Sequence, residues 1–376
     1  GWMRKVGIMS MQRIANYGSF LQAYALKQLI EEVGCNVEFV DYHVGAPVIV
    51  ENADSKNKVV RKIKKGLETF RYRAPLAHKL SFIRYKQSFA QKYMPLLGIA
   101  DEMNYNPTVD CLVIGSDEVF NCIQKNSNVG YSPELFGKNN HAKKLITYAA
   151  SFGNTTLVKL EKYKKTDEVG ALLKKFDAIS VRDANSGAIV EQLTGKEPLY
   201  NLDPVLTYDY MNCCDKIPQV QTNEKYLILY AYAGRISNEE ADWISDYAKK
   251  KKLKVYAIGG IQKCADRFVD CSPFEVLAYF RNAEEVITDT FHGSIFSVIT
   301  HRPFTTLIRK SVGNSYGNEE KLSDLLKRLK LADRMTTKIE DAENINEKTI
   351  DYAKVDELLK AHREVAKEYL RKNLEG

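Results

Sequence analysis

The sequence predicts an α/β protein of two doubly wound domains facing each other across a cleft, with a basic helical insertion in the first. Three observations predict it. The chain has 376 residues, more than one ordinary core holds, so two domains are expected. Short apolar, β-branched runs alternate with amphipathic stretches at helical spacing in both halves, the pattern of parallel sheets covered by helices. One strongly basic segment interrupts that alternation. The expected boundaries are residues 3–205 for the N-terminal domain, with the insertion at about 55–95, residues 206–345 for the C-terminal domain, and 346–376 for a last helix.

The first half opens as a βαβ unit. Lys5 to Ser10 is a buried strand, and Asn16, Tyr17, Gly18 and Ser19 form the turn after it. Phe20, Leu21, Tyr24, Ala25, Leu29 and Val33 then recur at helical spacing, and Gly34 closes the helix. Asn36 to Tyr42 is the second strand. After the basic segment, "DCLVIGSDEVFN" (Asp110 to Asn121) and "KLITYAASFG" (Lys144 to Gly153) are strands that end in polar turns. A long amphipathic helix is expected from about Leu157 to Phe176. The next strand ends at Val181-Arg182, with Asp183 capping the following helix, and "PLYNLDPVL" (Pro198 to Leu206) ends this half.

The second half restarts with "KYLILYAYAG" (Lys225 to Gly234), a helix over about Asn238 to Lys250, and the strand "KVYAIGG". "SPFEVLAYFRN" has a Ser-Pro helix start. "RPFTTLI" (Arg302 to Ile308) is a further strand, "EKLSDLLKRLKLADRM" a helix with its continuation, and Ile350 to Leu374 the last amphipathic helix.

Candidate functional residues gather at strand ends, where open α/β sheets bind ligands. Between "VIT" and the apolar helix "SIFSVI" lie Asp289, Thr290, His292 and Gly293, so one of only six histidines sits at a strand end near a helix N-terminus. Three first-half turns share a pattern of small and hydrogen-bonding residues: Asn16, Gly18 and Ser19; Ser116 and Asp117; Ser151 and Gly153. Such turns cradle phosphates or sugar hydroxyls, or serve only as turns. Arg182 closes an apolar strand and either pairs with a local acid such as Asp183 or aims at an anionic ligand. Asp203 precedes a proline and is expected to fix a turn. Neither a P-loop nor a GxGxxG fingerprint is present, so ATP and NAD have no support.

Composition bounds the setting. No apolar run approaches the roughly 20 residues of a membrane span, and no charged-then-apolar signal pattern is read at the start of this sequence. Gly1-Trp2 before Met3 reads as an expression scar. Seven cysteines lack any CxxC spacing, so neither a disulfide framework nor a metal site is expected. The net charge of +7 is unevenly spread: Lys56 to Lys92 holds twelve Lys or Arg against the single acid Glu68, so this segment carries +11 and the remainder −4. Val60, Ile63, Leu67, Phe70, Leu76, Leu80, Phe82, Ile83 and Phe89 are interleaved with the charges. Basic amphipathic helices of this kind suit a solvated face, an anionic membrane surface or an acceptor bearing phosphates. No nucleic-acid motif accompanies them, so nucleic acid is not an expected partner.

Six motifs occur in this order: "NYGSFLQAYALKQLIEEVG", "GSDEVFN", "TYAASFG", "ISVRD", "LDPVL" and "VITDTFHGSIFSVI". Their order and wording resemble the polysaccharide pyruvyl transferase family over roughly Val6 to Met335. The resemblance implies two Rossmann-like domains in a GT-B-like arrangement. It implies transfer of a pyruvyl group from phosphoenolpyruvate, as donor substrate with no cofactor, to a sugar of a bacterial surface polysaccharide or its lipid-linked precursor, giving a cyclic ketal. His292 is similar to the family's motif histidine and becomes the candidate general acid, and Arg182 matches the strand-end arginine and becomes the candidate anion clamp. Characterised members often carry Arg-Leu-His where this chain has Thr290-Phe291-His292, so another cation such as Arg302, Arg309 or Lys310 replaces that arginine, or this subgroup binds the donor differently, or the donor differs. A GT-B glycosyltransferase using a nucleotide sugar, and a non-catalytic sugar- or lipid-binding module of capsule assembly, stand as alternatives. The expected location is the cytoplasm, at the inner face of the membrane through residues 56–92.

Overall fold

Apolar runs supply the strands of two parallel sheets. In the computed structural model, which describes residues 4–49, 58–310 and 317–375, the chain forms two units. The first comprises Gly1–Asn52, Met94–Asp209 and Leu359–Gly376; the second comprises Ala53–Tyr93 and Tyr210–Leu358.

The first unit is built on strands β1 (Lys5–Met9), β2 (Asn36–Phe39), β3 (Cys111–Gly115) and β4 (Lys144–Tyr148), parallel in the order β2-β1-β3-β4. Bridges from Ile146 to Ala178 and from Ala150 to Val181 attach β5 (Ser180–Val181) and its parallel partner β6 (Leu199–Tyr200) beyond β4. Strand β1 has β2 on one side and β3 on the other, so the strand order reverses there. The Ser10 hydroxyl donates to the Ser116 carbonyl at 3.2 Å and ties those two strand ends together. Helix Tyr17–Val33 links β1 to β2, and Gly34 ends it in the left-handed region at φ 107°, where a side chain would be strained. Phe120, Phe136 and Phe152 fill the core, with Phe120 stacked on Phe136 at 4.5 Å between ring centroids. The single helix expected over Leu157 to Phe176 is instead two, Leu157–Lys162 and Thr166–Leu173. Lys164 turns into the left-handed region at φ 57°, and the Lys165 amide closes back on the Leu160 carbonyl at 2.8 Å.

The second unit has the parallel order β12-β11-β10-β7-β8-β9. Its strands are β7 (Tyr226–Tyr230), β8 (Lys254–Ile258), β9 (Arg267–Phe268), β10 (Glu285–Thr288), β11 (Phe304–Leu307) and β12 (Met335–Thr336). Order reverses at β7, and the Thr288 hydroxyl donates to the Tyr230 carbonyl at 2.7 Å across that point. Leu227, Leu229, Val255, Ala257, Ile287 and Leu307 pack under Ile244 and Tyr247 of helix Asn238–Lys251. Ser237 with Glu240, and Ser272 with Glu275, form reciprocal capping boxes at two helix starts.

The basic helices Lys58–Arg71 and Leu76–Tyr93 belong to this second unit, not to the first as their place in the sequence implied. The reason is aromatic packing: the rings of Phe82 and Tyr85 lie 5.7 and 6.1 Å from that of Phe268 on β9. Lys56 and the start of the expected insertion lie outside the described residues. The last helix runs Tyr352–Leu374, and the units divide at Leu359 within it. Among the described residues, no helix is long and apolar enough to cross a membrane.

Phe120→Ala leaves a cavity in a ring cluster that cannot collapse, and should cost about 3–5 kcal/mol. Val158, 76% exposed, should tolerate alanine with a change below about 0.5 kcal/mol. Thermal denaturation of both variants checks the contrast; equal melting would contradict the packing described.

Candidate active site

The carboxyl end of the first sheet is organised by short polar side chains. Asn16 caps its helix, its Oδ1 accepting from the amides of Gly18 at 2.8 Å and Ser19 at 3.2 Å. The Ser19 hydroxyl donates to Asp117 Oδ2 at 3.1 Å, across the point of strand reversal. Asp117 stands in the left-handed region at φ 71°, which aspartate enters more readily than most residues, and its Oδ1 accepts from the Glu118 amide at 2.9 Å. Its neighbour Ser116 turns inward: the hydroxyl is buried and donates to the Ala149 carbonyl at 2.8 Å, so this residue braces β3. The Ser151 hydroxyl donates to Asp183 Oδ2 at 2.6 Å and accepts from the Gly153 amide at 3.0 Å. A Cβ on Gly153 would meet the Glu118 carboxylate and the Asn121 amide at 2.9 Å.

Arg182 is paired, with a partner the local sequence did not name. Its Nη1 donates to Asp203 Oδ2 at 3.1 Å, and Asp117 Oδ1 lies 3.9 Å from Nη2. Asp203 is fully buried and its other oxygen accepts from the Val205 amide at 2.9 Å, so it caps a turn and holds the arginine together. Burial opposes the guanidinium charge, but Asp117 and Asp203, then Glu118 and Asp183, outweigh it and raise the pKa. Arg182 is thus held among acids, with Asp203 as its hydrogen-bond partner in place of the local Asp183. Four carboxylates therefore act on one guanidinium at this strand end.

The carboxyl end of the second sheet has the opposite arrangement. Thr290 caps helix Phe291–Ile299, its hydroxyl oxygen accepting from the Gly293 amide at 2.8 Å and lying 3.0 Å from the Thr288 hydroxyl. A Cβ on Gly293 would fall 2.2 Å from Thr288 Oγ1, so only glycine fits beneath the cap. His292 is half-buried on the first helical turn, between the rings of Phe291 at 5.3 Å and Phe296 at 6.0 Å.

Asp289 is fully buried, and neither carboxylate oxygen accepts a hydrogen bond among the described residues. Burial pushes its carboxyl up to about 6, against the pull of Arg235 and Arg309. Arg309 Nε stands 3.9 Å from Asp289, while its Nη atoms grip both oxygens of Glu240 at 2.6 and 3.1 Å. Asn318 donates to the carbonyls of Asp289 at 2.7 Å and Leu307 at 3.3 Å, joining the ends of β10 and β11.

Of the cations considered as replacements for the arginine displaced by Thr290, Arg302 is directed at the backbone carbonyls of Thr300 and Ala283. Lys310 is exposed. Arg309, with Arg235, is the one whose charge acts on Asp289. Arg235 follows the Gly234 turn after β7, so the strand-end rule could have found it. Glu240 has a readable role as a capping-box residue, but its arginine lies 69 positions away.

The model of the polysaccharide pyruvyl transferase family matches residues 16–311. The chain belongs to that family. It is therefore a transferase, and the matched span takes in both strand-end groups. No curated protein is matched by the sequence. Among solved structures, it is similar to an O-GlcNAc transferase mutant of Thermobaculum terrenum, at 12% identity and TM-score 0.42 over 99% of this chain and 66% of that one. It is also similar to a S. aureus MnaA–UDP co-structure, at 9% identity and TM-score 0.48 over 95% and 90% of the two chains. A UDP-GlcNAc 2-epimerase of Methanocaldococcus jannaschii in complex with UDP-GlcNAc and UDP aligns at 10% identity and TM-score 0.46, over 95% and 99%.

The raised carboxyl of Asp289 has a sign. Folding binds its proton more tightly than the unfolded chain does, so its contribution is favourable at low pH and is lost as pH rises from the ordinary 3.8 through about 6. Above that window the ionised, buried group costs on the order of 3 kcal/mol. Asp289→Asn should therefore melt higher than the parent at pH 7.5 and flatten the pH dependence between about 4 and 6. Identical melting profiles would show that the carboxyl is not held in an unfavourable place.

Proposed function

We propose that this transferase moves a pyruvyl group from phosphoenolpyruvate onto two hydroxyls of a sugar in a bacterial surface polysaccharide or its lipid-linked precursor. The observation that carries the reading is the end of β10, where a buried carboxyl that accepts no hydrogen bond among the described residues and a half-buried imidazole share one strand-to-helix turn inside the family's matched span.

The donor is an enol phosphate. A general acid protonates its methylene carbon, and the adjacent carbon takes on oxocarbenium character. A sugar hydroxyl bonds to that carbon, inorganic phosphate leaves, and a second hydroxyl closes the ketal. One hydroxyl proton restores the acid and the other departs with phosphate. His292 is the proposed acid. Arg309 and Arg235, the arginines whose charges act on Asp289, are the proposed contacts for the donor's carboxylate and phosphate.

Calorimetric titration with phosphoenolpyruvate needs no knowledge of the acceptor. Saturable binding is expected, weakened about tenfold or more by Arg309→Gln. His292→Ala should bind the donor within a few-fold of the parent and lose ketal formation by at least about a hundredfold. Binding of a nucleotide sugar, with none of phosphoenolpyruvate, would overturn the assignment.

A further inference from the structure

Helix Lys58–Arg71 presents apolar side chains outward. Val59, Val60, Ile63, Leu67 and Phe70 are between 37% and 63% exposed. At 3.6 residues per turn they share an arc of about 100°, and the polar residues occupy the rest of the circumference. Thr69, whose hydroxyl donates to the Lys65 carbonyl at 3.1 Å, is buried on the far side from that arc, so the stripe faces away from the surface on which the helix rests. Leu76 and Leu80, 63% and 47% exposed, extend the apolar surface onto the next helix. The helix carries six Lys or Arg and one acid, Glu68. Lys62, Lys64, Lys65 and Arg71 are exposed.

Ordinary surface helices bury their apolar stripe and expose their charges. Here both are outward, and the combination defines what covers them. A second copy of the chain would bring the same positive charge to the contact and repel it. A surface that accepts an apolar ridge and is densely negative on both flanks is the headgroup layer of an anionic membrane. We propose that this helix lies in the plane of an anionic lipid surface, with Ile63, Leu67 and Phe70 inserted among the acyl chains and the lysines at the level of the headgroups. The proposal deepens the reading of a lipid-linked or surface-destined acceptor, on which its biological sense rests, by giving the enzyme a place beside it.

The test is cosedimentation of the full chain with phosphatidylcholine vesicles, with and without phosphatidylglycerol. Binding is expected only with phosphatidylglycerol. It should weaken at least about tenfold as salt rises from about 0.1 M to about 1 M, which shortens the screening length from about 10 to about 3 Å. The double variant Ile63→Glu/Leu67→Glu should lose binding about tenfold or more, and so should Lys62→Gln/Lys65→Gln. All four side chains are exposed, so melting temperatures should match the parent and separate lost docking from misfolding. Absent binding, binding unchanged by the glutamates, or self-association that the glutamates abolish would overturn the proposal. Phosphoenolpyruvate titration on the same samples keeps the two readings apart: donor binding without vesicle binding sinks only the docking surface, and vesicle binding without donor binding sinks only the pyruvyl reading.

Discussion

In each unit the order of the parallel strands reverses beside the first strand, and everything the site offers hangs on that reversal. At such a reversal the chain leaves neighbouring strands in opposite directions, and the strand ends there are where open parallel sheets bind ligands. One hydroxyl-to-carbonyl bond fixes each opening: Ser10 to Ser116 in the first sheet, Thr288 to Tyr230 in the second. Both donors are buried, so a slip in either pairing would orphan polar groups away from water. Asn16, Ser19 and Asp117 are placed by the first reversal, and Asp289, Thr290 and His292 by the second.

The two strand ends differ in electrostatic character. In the first, acids surround Arg182 and the arginine serves to hold them. In the second, Arg235, Arg309 and Lys321 act on a buried acid whose oxygens accept no hydrogen bond among the described residues. Groups kept in an unfavourable state recur where a site needs chemistry more than stability. Thr290 belongs to the same logic. Its hydroxyl caps the helix carrying His292, and Gly293 leaves room for that cap.

Local chemistry made much of this legible. Alternating runs located the strands; Asn16, Asp183, Ser272 and Gly34 marked helix ends through side chains that satisfy exposed amides or a backbone that needs glycine. Asp289 and His292 stood out because few polar residues sit between two apolar elements. What stayed hidden depends on distant partners. Asp203 reads as a turn former before proline, and nothing nearby reveals that its other oxygen receives Arg182. The grip of Glu240 on Arg309 joins positions 69 apart. The basic helices follow first-unit strands in sequence, yet Phe82 and Tyr85 find their aromatic partner on β9, far along the chain. The continuous pattern over Leu157 to Phe176 concealed a break because lysine gives no warning of a left-handed turn.

The carboxyl of Asp289 is the point at which packing, electrostatics and the proposed chemistry meet, and it can be observed directly. A carbon-13 NMR titration of the labelled aspartate carboxyls, with Asp289→Asn to assign the resonance, reads its proton without reference to any acceptor. The account predicts a carboxyl that titrates near 6, well above the ordinary aspartate value, and that responds when phosphoenolpyruvate is added. A midpoint near 4, typical of a solvated aspartate, with no response to the donor, would contradict it.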